Sequence, residues 1–402
     1  MSEPLVVIGN GMAAARFVEN LGKEGLGRYS VAVIGAEPAL AYNRVLLSSV
    51  LAGEIAREDT ELKPRLWWER QGVTLVYGKR ATEIDRAGRA VILEDGARLP
   101  YAKLVLATGS HPIRLPKPGM DLPSVLAFRD HNDVSAMLAA ASPATRAVVI
   151  GGGLLGIEAA YGLALTGTRV TLIHLMDRLM ERQLDPEAAA MLKAALEARG
   201  IAVILGADTA AVEGEECVEG VLLTDGRRIA ADMVVSAVGI RANADLARAA
   251  GLAVNRGVVV DDRLATSDPA IHAIGECAEH RGTCYGLVEP AYQQGAALAR
   301  HLAGKPAAYA GTVLSTNLKV SGVPVFSAGD FIGEAGTEVI VWRDPGLRTY
   351  RKLVIREDVL TGAVLFGETS DALWYLDLIR QGRPLGRLRD AVVFGQALAE
   401  AA

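Results

Sequence analysis

Cysteine is scarce in this chain and is confined to its second half. The three cysteines, Cys217, Cys277 and Cys284, are spread over 402 residues, and residues 1–216 contain none. No two of them form a C-x-x-C pair, and the chain has no His/Cys cluster with the spacing of a metal site. This scarcity excludes a disulfide framework and indicates buried or incidental thiols.

Long apolar runs and an excess of basic charge are also missing. The best apolar stretch, 154–165, is interrupted by Glu158 and is shorter than the roughly 18 residues of a membrane span. The N-terminus lacks the basic start and apolar core of a signal peptide. The net charge of −5 provides no attraction for nucleic acid or an anionic membrane. We therefore expect a cytoplasmic protein without nucleic-acid or membrane partners, and the length predicts two or three domains.

Glycine is abundant, and the first glycine-rich turn has a specific form. The apolar run LVVI is followed by Gly9, Gly11 and Ala14 in a G-x-G-x-x-A pattern, and a helical stretch comes next. The first glycine permits a tight turn, the second lets the backbone approach a pyrophosphate, and the small third residue allows close packing. The following strand, SVAVIG, is closed by Glu37, an acid suited to a ribose hydroxyl. This context makes the turn a strong dinucleotide signal.

The same pattern returns in the middle of the chain. The run AVVI leads into Gly151, Gly153 and Gly156, and the next strand, RVTLI, ends at His174. An acid that binds ribose is usual at that last position, and Arg178 is close by. We expect NADH here and leave NADPH possible. Two such units imply two dinucleotides, and a hydride passed from a nicotinamide to a flavin is the simplest use of both.

Three later segments share one form, an apolar strand that ends at a glycine crossover: KLVLATGSHP, DMVVSAVGIRAN and TSDPAIHAIGECAEH. Together with the two turns, these segments resemble the pyridine nucleotide–disulfide oxidoreductase superfamily of two-dinucleotide-fold flavoprotein reductases. The resemblance implies an α/β fold with two Rossmann-like domains for FAD and NAD(P), as in glutathione reductase, and a C-terminal α+β interface domain. It places Glu276 on the ribitol and pyrophosphate end of FAD, although aspartate is commoner there. The other cofactor contacts that it implies in these segments are Ala107, Thr108, Gly109, Gly239 and Gly275.

The resemblance also implies a discontinuous domain order. Residues 1–110 and 242–308 would form the FAD domain, 111–241 the NAD(P)H domain, and 309–402 the C-terminal domain. The last part shows strand and turn signals followed by a helix over 370–380, which predicts an antiparallel sheet and a helix. Trp374 on that helix is expected to belong to the core.

Further site residues follow from the same resemblance. The helix start Glu289-Pro290-Ala291 would direct backbone N–H groups at the pyrimidine side of the flavin. Arg44 and Glu158 match residues near the flavin, and we expect both to have catalytic roles. In ferredoxin and rubredoxin reductases a lysine pairs with that glutamate, whereas this chain has Ser49 at the lysine position.

A closer resemblance covers almost the whole chain. The segments AYNRVLLSSVLAGE, HLMDRLMERQLD, STNLKVSGVPVFSAGD and GETSDALWYLDLI are similar to the NADH-binding flavoprotein part of assimilatory nitrite reductase large subunits. We therefore expect an FAD-dependent NAD(P)H reductase that passes electrons to a separate one-electron acceptor. The acceptor would be an iron–sulfur or rubredoxin-type carrier or a separate reductase subunit. Cysteine clusters for sirohaem or iron–sulfur centres are missing, so the chain would not reduce nitrite alone.

Two alternatives stay open on the sequence. The first is a rubredoxin or ferredoxin reductase that serves another pathway, and only the identity of the carrier separates it from the main interpretation. The second is a redox-sensing flavoprotein, in which turnover is incidental and the redox state controls a partner. No motif indicates an organic substrate for a flavin monooxygenase, and no feature of the sequence indicates an oligomeric state.

Overall fold

The computed structural model describes residues 2–318 and 322–401. Residues 319–321, which belong to the STNLKVSGV segment, lie outside the described part. The strands found there are β1 (Glu3–Ile8), β2 (Tyr29–Gly35), β3 (Thr74–Tyr77), β4 (Ala81–Asp85), β5 (Ala90–Leu93), β6 (Arg98–Pro100), β7 (Lys103–Leu106), β8 (Ser110–Pro112), β9 (Val125–Ala127), β10 (Arg146–Ile150), β11 (Arg169–Ile173), β12 (Ala202–Ile204), β13 (Thr209–Glu213), β14 (Gly220–Leu223), β15 (Arg228–Ala230), β16 (Met233–Ser236), β17 (Ile240–Ala242), β18 (Val258–Val260), β19 (Ile271–Ala273), β20 (Ala278–His280), β21 (Thr283–Cys284), β22 (Ser315–Leu318), β23 (Val325–Gly329), β24 (Glu338–Asp344), β25 (Thr349–Arg356) and β26 (Val359–Phe366).

The α-helices of the same residues are α1 (Met12–Gly25), α2 (Leu47–Leu51), α3 (Arg65–Arg70), α4 (His131–Ala140), α5 (Leu154–Leu165), α6 (Pro186–Glu197), α7 (Asp245–Ala249), α8 (Val288–Leu302), α9 (Ala372–Gln381) and α10 (Gln396–Ala401). Within residues 2–318 and 322–401 no helix is both long and apolar enough to cross a membrane.

The chain divides into two compact units, and each is discontinuous in sequence. The first unit comprises Met1–Leu47, Ala56–His111 and Ile240–Thr312, and the second unit comprises Ser48–Ile55, Pro112–Gly239 and Val313–Ala402. The three-domain division expected from the sequence stays a prediction.

A parallel sheet forms the centre of the first unit. Its strand order is β19-β7-β1-β2-β3, and all four neighbouring pairs are parallel. Strands β1 and β7 are almost continuously apolar because helices or loops cover both faces of such a sheet. Helix α8 packs closely on α1 at Gly295, where an added Cβ would lie 3.2 Å from the Phe17 nitrogen. Strand β19, from the second half of the sequence, thus belongs to the same sheet as the N-terminal strand β1.

The second unit contains a similar parallel sheet. Its order is β12-β11-β10-β16-β9, with every neighbouring pair parallel. Helix α5 follows β10 and is buried along most of its length. On α5, Gly162 leaves room for the side chain of Leu51, which would lie 2.7 Å from an added Cβ. This contact packs the short helix α2 against α5.

An antiparallel sheet forms the C-terminal part of the second unit. Its order is β22-β23-β26-β25-β24, with antiparallel pairing throughout. Helix α9 packs on it, and Trp374 is partly buried against the same core. The helix begins two residues later than the sequence pattern indicated, at Ala372. The α/β class with two parallel nucleotide-type sheets and a C-terminal α+β part is confirmed.

Candidate dinucleotide sites

The first glycine turn lies at the carboxyl edge of the parallel sheet of the first unit. Gly9 has φ +113°, and an added Cβ would lie 2.0 Å from the Ala107 carbonyl oxygen. Its N–H donates to the Ile34 carbonyl at 2.8 Å, and the Ala107 N–H donates to the Ile8 carbonyl at 2.8 Å. A side chain at Gly9 would therefore separate β1 from β7 at their carboxyl ends.

The segment after β7 is held by a residue from the returning half of the unit. The Thr108 hydroxyl donates to the Asn243 carbonyl at 2.7 Å, and the Asn243 side-chain amide donates to the Thr108 carbonyl at 2.8 Å. The Asn243 N–H also donates to the Gly109 carbonyl at 2.9 Å. Ala107, Thr108 and Gly109 therefore form one braced turn beside Gly9. Asn243 was not predicted from the sequence, although it ends the segment DMVVSAVGIRAN.

Glu276 follows β19, the strand beside β7. The Ser110 hydroxyl donates to the Glu276 carboxylate at 2.7 Å, and β19 pairs in register with β7. The Ile274 N–H donates to the Leu106 carbonyl at 2.9 Å. The acid is thus brought to the same sheet edge as the first glycine turn, although 166 residues separate Ser110 from Glu276.

Helix α8 begins near this edge without a side-chain cap. The cap residue Leu287 provides no side-chain acceptor for the first turn, which contains Glu289, Pro290 and Ala291. The Gln294 side chain, from the second turn, accepts the Gly275 N–H at 2.7 Å. The partial positive charge of an uncapped helix start attracts anions or developing negative charge.

Glu37 lies past the carboxyl end of β2. Its carboxylate accepts from the Tyr42 hydroxyl at 2.7 Å and forms an ion pair with Arg44. The Arg44 guanidinium also lies 4.7 Å from the centre of the Tyr42 ring. Arg44 therefore lies beside Glu37, the acid expected to bind ribose, and its catalytic role stays a prediction.

These features of the first unit fit a dinucleotide. An added Cβ at Gly11 would meet no atom within 4 Å, and α1 has no side-chain cap, so its first N–H groups can receive a phosphate. The Asn10 side-chain oxygen is buried without a partner among the described residues. FAD would be held by the Gly9–Ala14 turn, by Glu37 and by Glu276.

The second glycine turn repeats this geometry. Gly151 has φ +118°, and an added Cβ would lie 2.3 Å from the Ala237 carbonyl oxygen. At Gly156 it would lie 1.8 Å from the Gly151 carbonyl oxygen, whereas at Gly153 it would meet nothing within 4 Å. Helix α5 has no side-chain cap at Gly153. Gly239, with φ +118°, follows β16, the strand beside β10. The turn therefore fits the pyrophosphate of a second dinucleotide, NAD(P)H.

His174, at the ribose position after β11, is buried and fully hydrogen-bonded. Its Nδ1 accepts from the Gly152 N–H at 3.0 Å, so the ring proton belongs on Nε2. That Nε2 lies 3.0 Å from a Glu181 carboxylate oxygen. Glu181 was not predicted as a site residue, although the ERQLD motif that contains it contributed to the family resemblance.

Glu158 is buried in α5, with 7% of its surface exposed. Burial raises the pKa of its carboxyl from the ordinary 4.5 to about 8. No lysine or arginine pairs with it within residues 2–318 and 322–401, and Ser49, at the lysine position, lies on α2. The carboxyl is therefore mainly protonated at neutral pH.

The cysteines do not provide a redox relay in the described part of the chain. Cys277 is buried and donates weakly to the Ile274 carbonyl, at 3.3 Å, and burial raises the pKa of both the Cys277 and Cys284 thiols. Cys217 is exposed. Across residues 2–318 and 322–401 no group of three His, Cys, Asp or Glu side chains is placed to hold a metal ion.

Two glycine turns, each at the carboxyl edge of its own parallel sheet, define the class of two-dinucleotide oxidoreductases. Residues 3–295 match the pyridine nucleotide-disulphide oxidoreductase family, and residues 315–383 match the rubredoxin NAD+ reductase C-terminal domain. The chain belongs to the pyridine nucleotide-disulphide oxidoreductase family and is an oxidoreductase of the FAD- and NAD(P)H-dependent kind.

Three similar proteins illustrate this membership. The nitrite reductase [NAD(P)H] of Bacillus subtilis is 45% identical over 94% of this chain and 47% of its own length. The assimilatory nitrate reductase electron transfer subunit of the same organism is 40% identical over 97% of this chain and 51% of its own length. The chain thus spans about half the length of these two relatives. The structure of a covalent putidaredoxin reductase–putidaredoxin complex superimposes with a TM-score of 0.87 at 26% identity, over 95% of this chain and 94% of that one.

Proposed function

We propose that the protein oxidises NADH and delivers the electrons, through FAD, to a separate one-electron acceptor. The observation that supports this most directly is the pair of glycine turns, each with an open second glycine and an uncapped helix start. Bound FAD would supply the chemistry that converts a hydride into electrons released singly. The acceptor would be an iron–sulfur or rubredoxin-type carrier or a separate reductase subunit.

The residues of the first unit would bind and orient the flavin nucleotide. The Gly11 turn and the α1 start would hold the phosphates, Glu37 a ribose and Glu276 the ribitol end. The α8 start at Glu289-Pro290-Ala291 would stabilise negative charge on the reduced ring. Positioning would provide most of the rate, because the hydride step needs no side-chain acid or base.

In the second unit, the Gly151–Gly156 turn would bind the pyrophosphate of NADH. Glu158 would present a neutral carboxyl to the reaction at neutral pH, because burial raises its pKa to about 8 and no lysine among the described residues pairs with it. Residues 1–216 contain no cysteine, so no dithiol would take part before the acceptor. Electrons would pass directly to the partner.

The natural role that fits best is the electron-input component of an assimilatory nitrite or nitrate reductase system. The nitrate reductase electron transfer subunit from Bacillus subtilis supports this proposal, since the likeness covers 97% of the chain. The match of residues 315–383 to a rubredoxin NAD+ reductase domain supports the second candidate, a rubredoxin or ferredoxin reductase.

Anaerobic stopped-flow tests the proposal. The flavin is reduced with NADH and then mixed in parallel with a rubredoxin, a ferredoxin, a nitrite reductase catalytic subunit and oxygen. Fast reoxidation by one carrier or by the subunit supports an electron-transfer reductase and selects the acceptor class. Reoxidation by oxygen alone would contradict the proposal. Slow turnover with a large redox-dependent change of shape would favour a redox sensor instead.

The variant Gly153→Val tests the nicotinamide turn separately. Its side chain projects into the open space where the pyrophosphate would rest, so NADH reduction of the flavin should slow by about 100-fold or more. The matched variant Gly11→Val alters the equivalent position of the first turn and should reduce flavin content instead. Unchanged reduction in Gly153→Val would show that NADH binds elsewhere.

A further inference from the structure

The position that usually carries the ribose-binding acid has no free polar atom in this chain. His174 receives the Gly152 N–H on Nδ1 at 3.0 Å and donates from Nε2 to Glu181 at 3.0 Å. Both ring nitrogens are therefore used, and the residue is 9% exposed. A ribose hydroxyl would need another partner close to the second glycine turn.

The segment after β11 folds back onto that turn. The Met180 N–H donates to the Gly152 carbonyl at 2.9 Å. Met180 has φ +49°, an uncommon conformation for a residue with a side chain, and its side chain is buried. Leu179 packs on Gly152, since an added Cβ there would lie 2.7 Å from it. These contacts fix the backbone of the next residue, Glu181, beside the turn.

Glu181 retains accepting capacity. One carboxylate oxygen accepts the hydrogen bond from the His174 Nε2–H, and the other accepts no hydrogen bond from the described residues. Its nearest cation is the Arg182 guanidinium at 3.7 Å, a side chain 86% exposed and so weakly held. Arg178 donates to Asp177 at 3.2 Å and lies 3.5 Å from the Glu181 carbonyl, so both terminal nitrogens of its guanidinium have partners. A carboxylate in this place accepts ribose hydroxyls and repels a 2′-phosphate.

We propose that Glu181, held by His174 against the second glycine turn, binds the adenosine ribose of NADH and disfavours NADPH. This rests on the proposed function, in which that turn binds NADH. Glu181 would serve in place of the acid usually found at the end of β11. His174 is the positioning residue that holds Glu181 beside the turn through a hydrogen bond.

Calorimetric titration of the oxidised holoenzyme with NAD⁺ and with NADP⁺ tests the proposal without turnover. Glu181→Gln should weaken NAD⁺ binding by about 10-fold or more, because a charge-assisted hydrogen bond is lost, and should bring the NADP⁺ affinity closer to that of NAD⁺. The matched control is Asp177→Asn, which removes the same charge from the same loop at a carboxylate 78% exposed. Asp177→Asn should change the NAD⁺ affinity by less than about 2-fold.

His174 is tested by a pair of variants. His174→Leu should weaken NAD⁺ binding as Glu181→Gln does, and His174→Gln, which can accept and donate, should restore part of it. Flavin content and melting temperature verify that each variant is folded. If Glu181→Gln does not fold, Glu181→Asp is used in its place.

The possible results separate the two levels of the proposal. Equal NAD⁺ affinities in wild type and Glu181→Gln, or a loss of NAD⁺ affinity in Asp177→Asn alone, would overturn the role of Glu181. Neither result would contradict the proposal that NADH binds at the second glycine turn. If the wild type bound NADP⁺ more tightly than NAD⁺, the inference would fail too. A wild type that binds neither nucleotide would overturn the proposed function with it.

Discussion

At the scale of single residues, Glu158 illustrates how burial changes chemistry. Its carboxyl lies in an apolar helix, and no cation among the described residues compensates its charge. Removal from water penalises the ionised form, so the pKa rises to about 8. The resemblance to reductases with a lysine partner indicated the residue, but its burial in α5 decides its charge.

Glu158 should make the folded state less stable as the pH rises from about 4.5 to 8. In that window the folded protein keeps a proton that the unfolded chain has released, so the stability falls with pH and levels off above 8. The loss amounts to as much as about 5 kcal/mol. Melting temperatures of wild type and Glu158→Gln, measured across this range, should diverge at high pH, with the variant more stable.

The control for this prediction is Glu216→Gln, at an exposed position of the same unit. Its pH profile should follow that of the wild type. Parallel profiles for wild type and Glu158→Gln would mean that Glu158 is ionised in the folded protein.

At the scale of elements, the start of helix α6 joins two parts of the second unit. Asp185 caps the helix by accepting the Ala188 N–H at 2.9 Å. The same carboxylate accepts from the Tyr350 hydroxyl at 2.6 Å and pairs with Lys352 at 3.0 Å, both on β25. The side chains of Asp185, Tyr350 and Lys352 are all buried. Burial together with the Asp185 carboxylate raises the pKa of Tyr350. The sequence predicted the antiparallel sheet but not this contact.

Asp185→Ala should destabilise the second unit by about 3–5 kcal/mol, because it leaves the buried Lys352 ammonium without its carboxylate and removes a helix cap. Thermal or urea unfolding measures this loss. Glu187→Ala, in the first turn of the same helix, removes an exposed ion pair with Arg343 and should have a much smaller effect. Comparable losses in the two variants would show that the buried cluster contributes no more than a surface pair.

At the scale of the whole molecule, the parallel sheet of the first unit includes β19, a strand far from the N-terminus in sequence. Strand β19 pairs with β7 and brings Glu276 to the edge where Gly9 turns. The proposed flavin site would therefore be complete only when both halves of the unit have assembled.

Ile271→Ala tests this dependence. Ile271 is fully buried in β19, so the truncation should cost about 2–5 kcal/mol and accelerate the release of FAD, although Gly9 lies far away in sequence. Flavin release followed by fluorescence measures the effect. Leu347→Ala, at a side chain 72% exposed, is the control, and equal flavin retention in both variants would argue against coupling through β19.

The sequence alone determined the features that depend on short-range sterics. At Gly9 and Gly151 the backbone has a positive φ and lies against a neighbouring strand, so a side chain would not fit. The G-x-G patterns indicate this constraint from the sequence alone. The apolar runs before them predicted parallel strands, and two such units predicted two dinucleotides. The lack of cysteine in residues 1–216 was enough to exclude a dithiol relay there.

Only the tertiary structure decided which distant groups meet and how each is charged. Asn243 braces the Thr108 turn, Glu181 accepts a hydrogen bond from His174, and Glu158 is buried without a cation among the described residues. Such pairings depend on strand order and on loops that fold back, which no local pattern encodes, because burial and hydrogen bonding are properties of the packed chain.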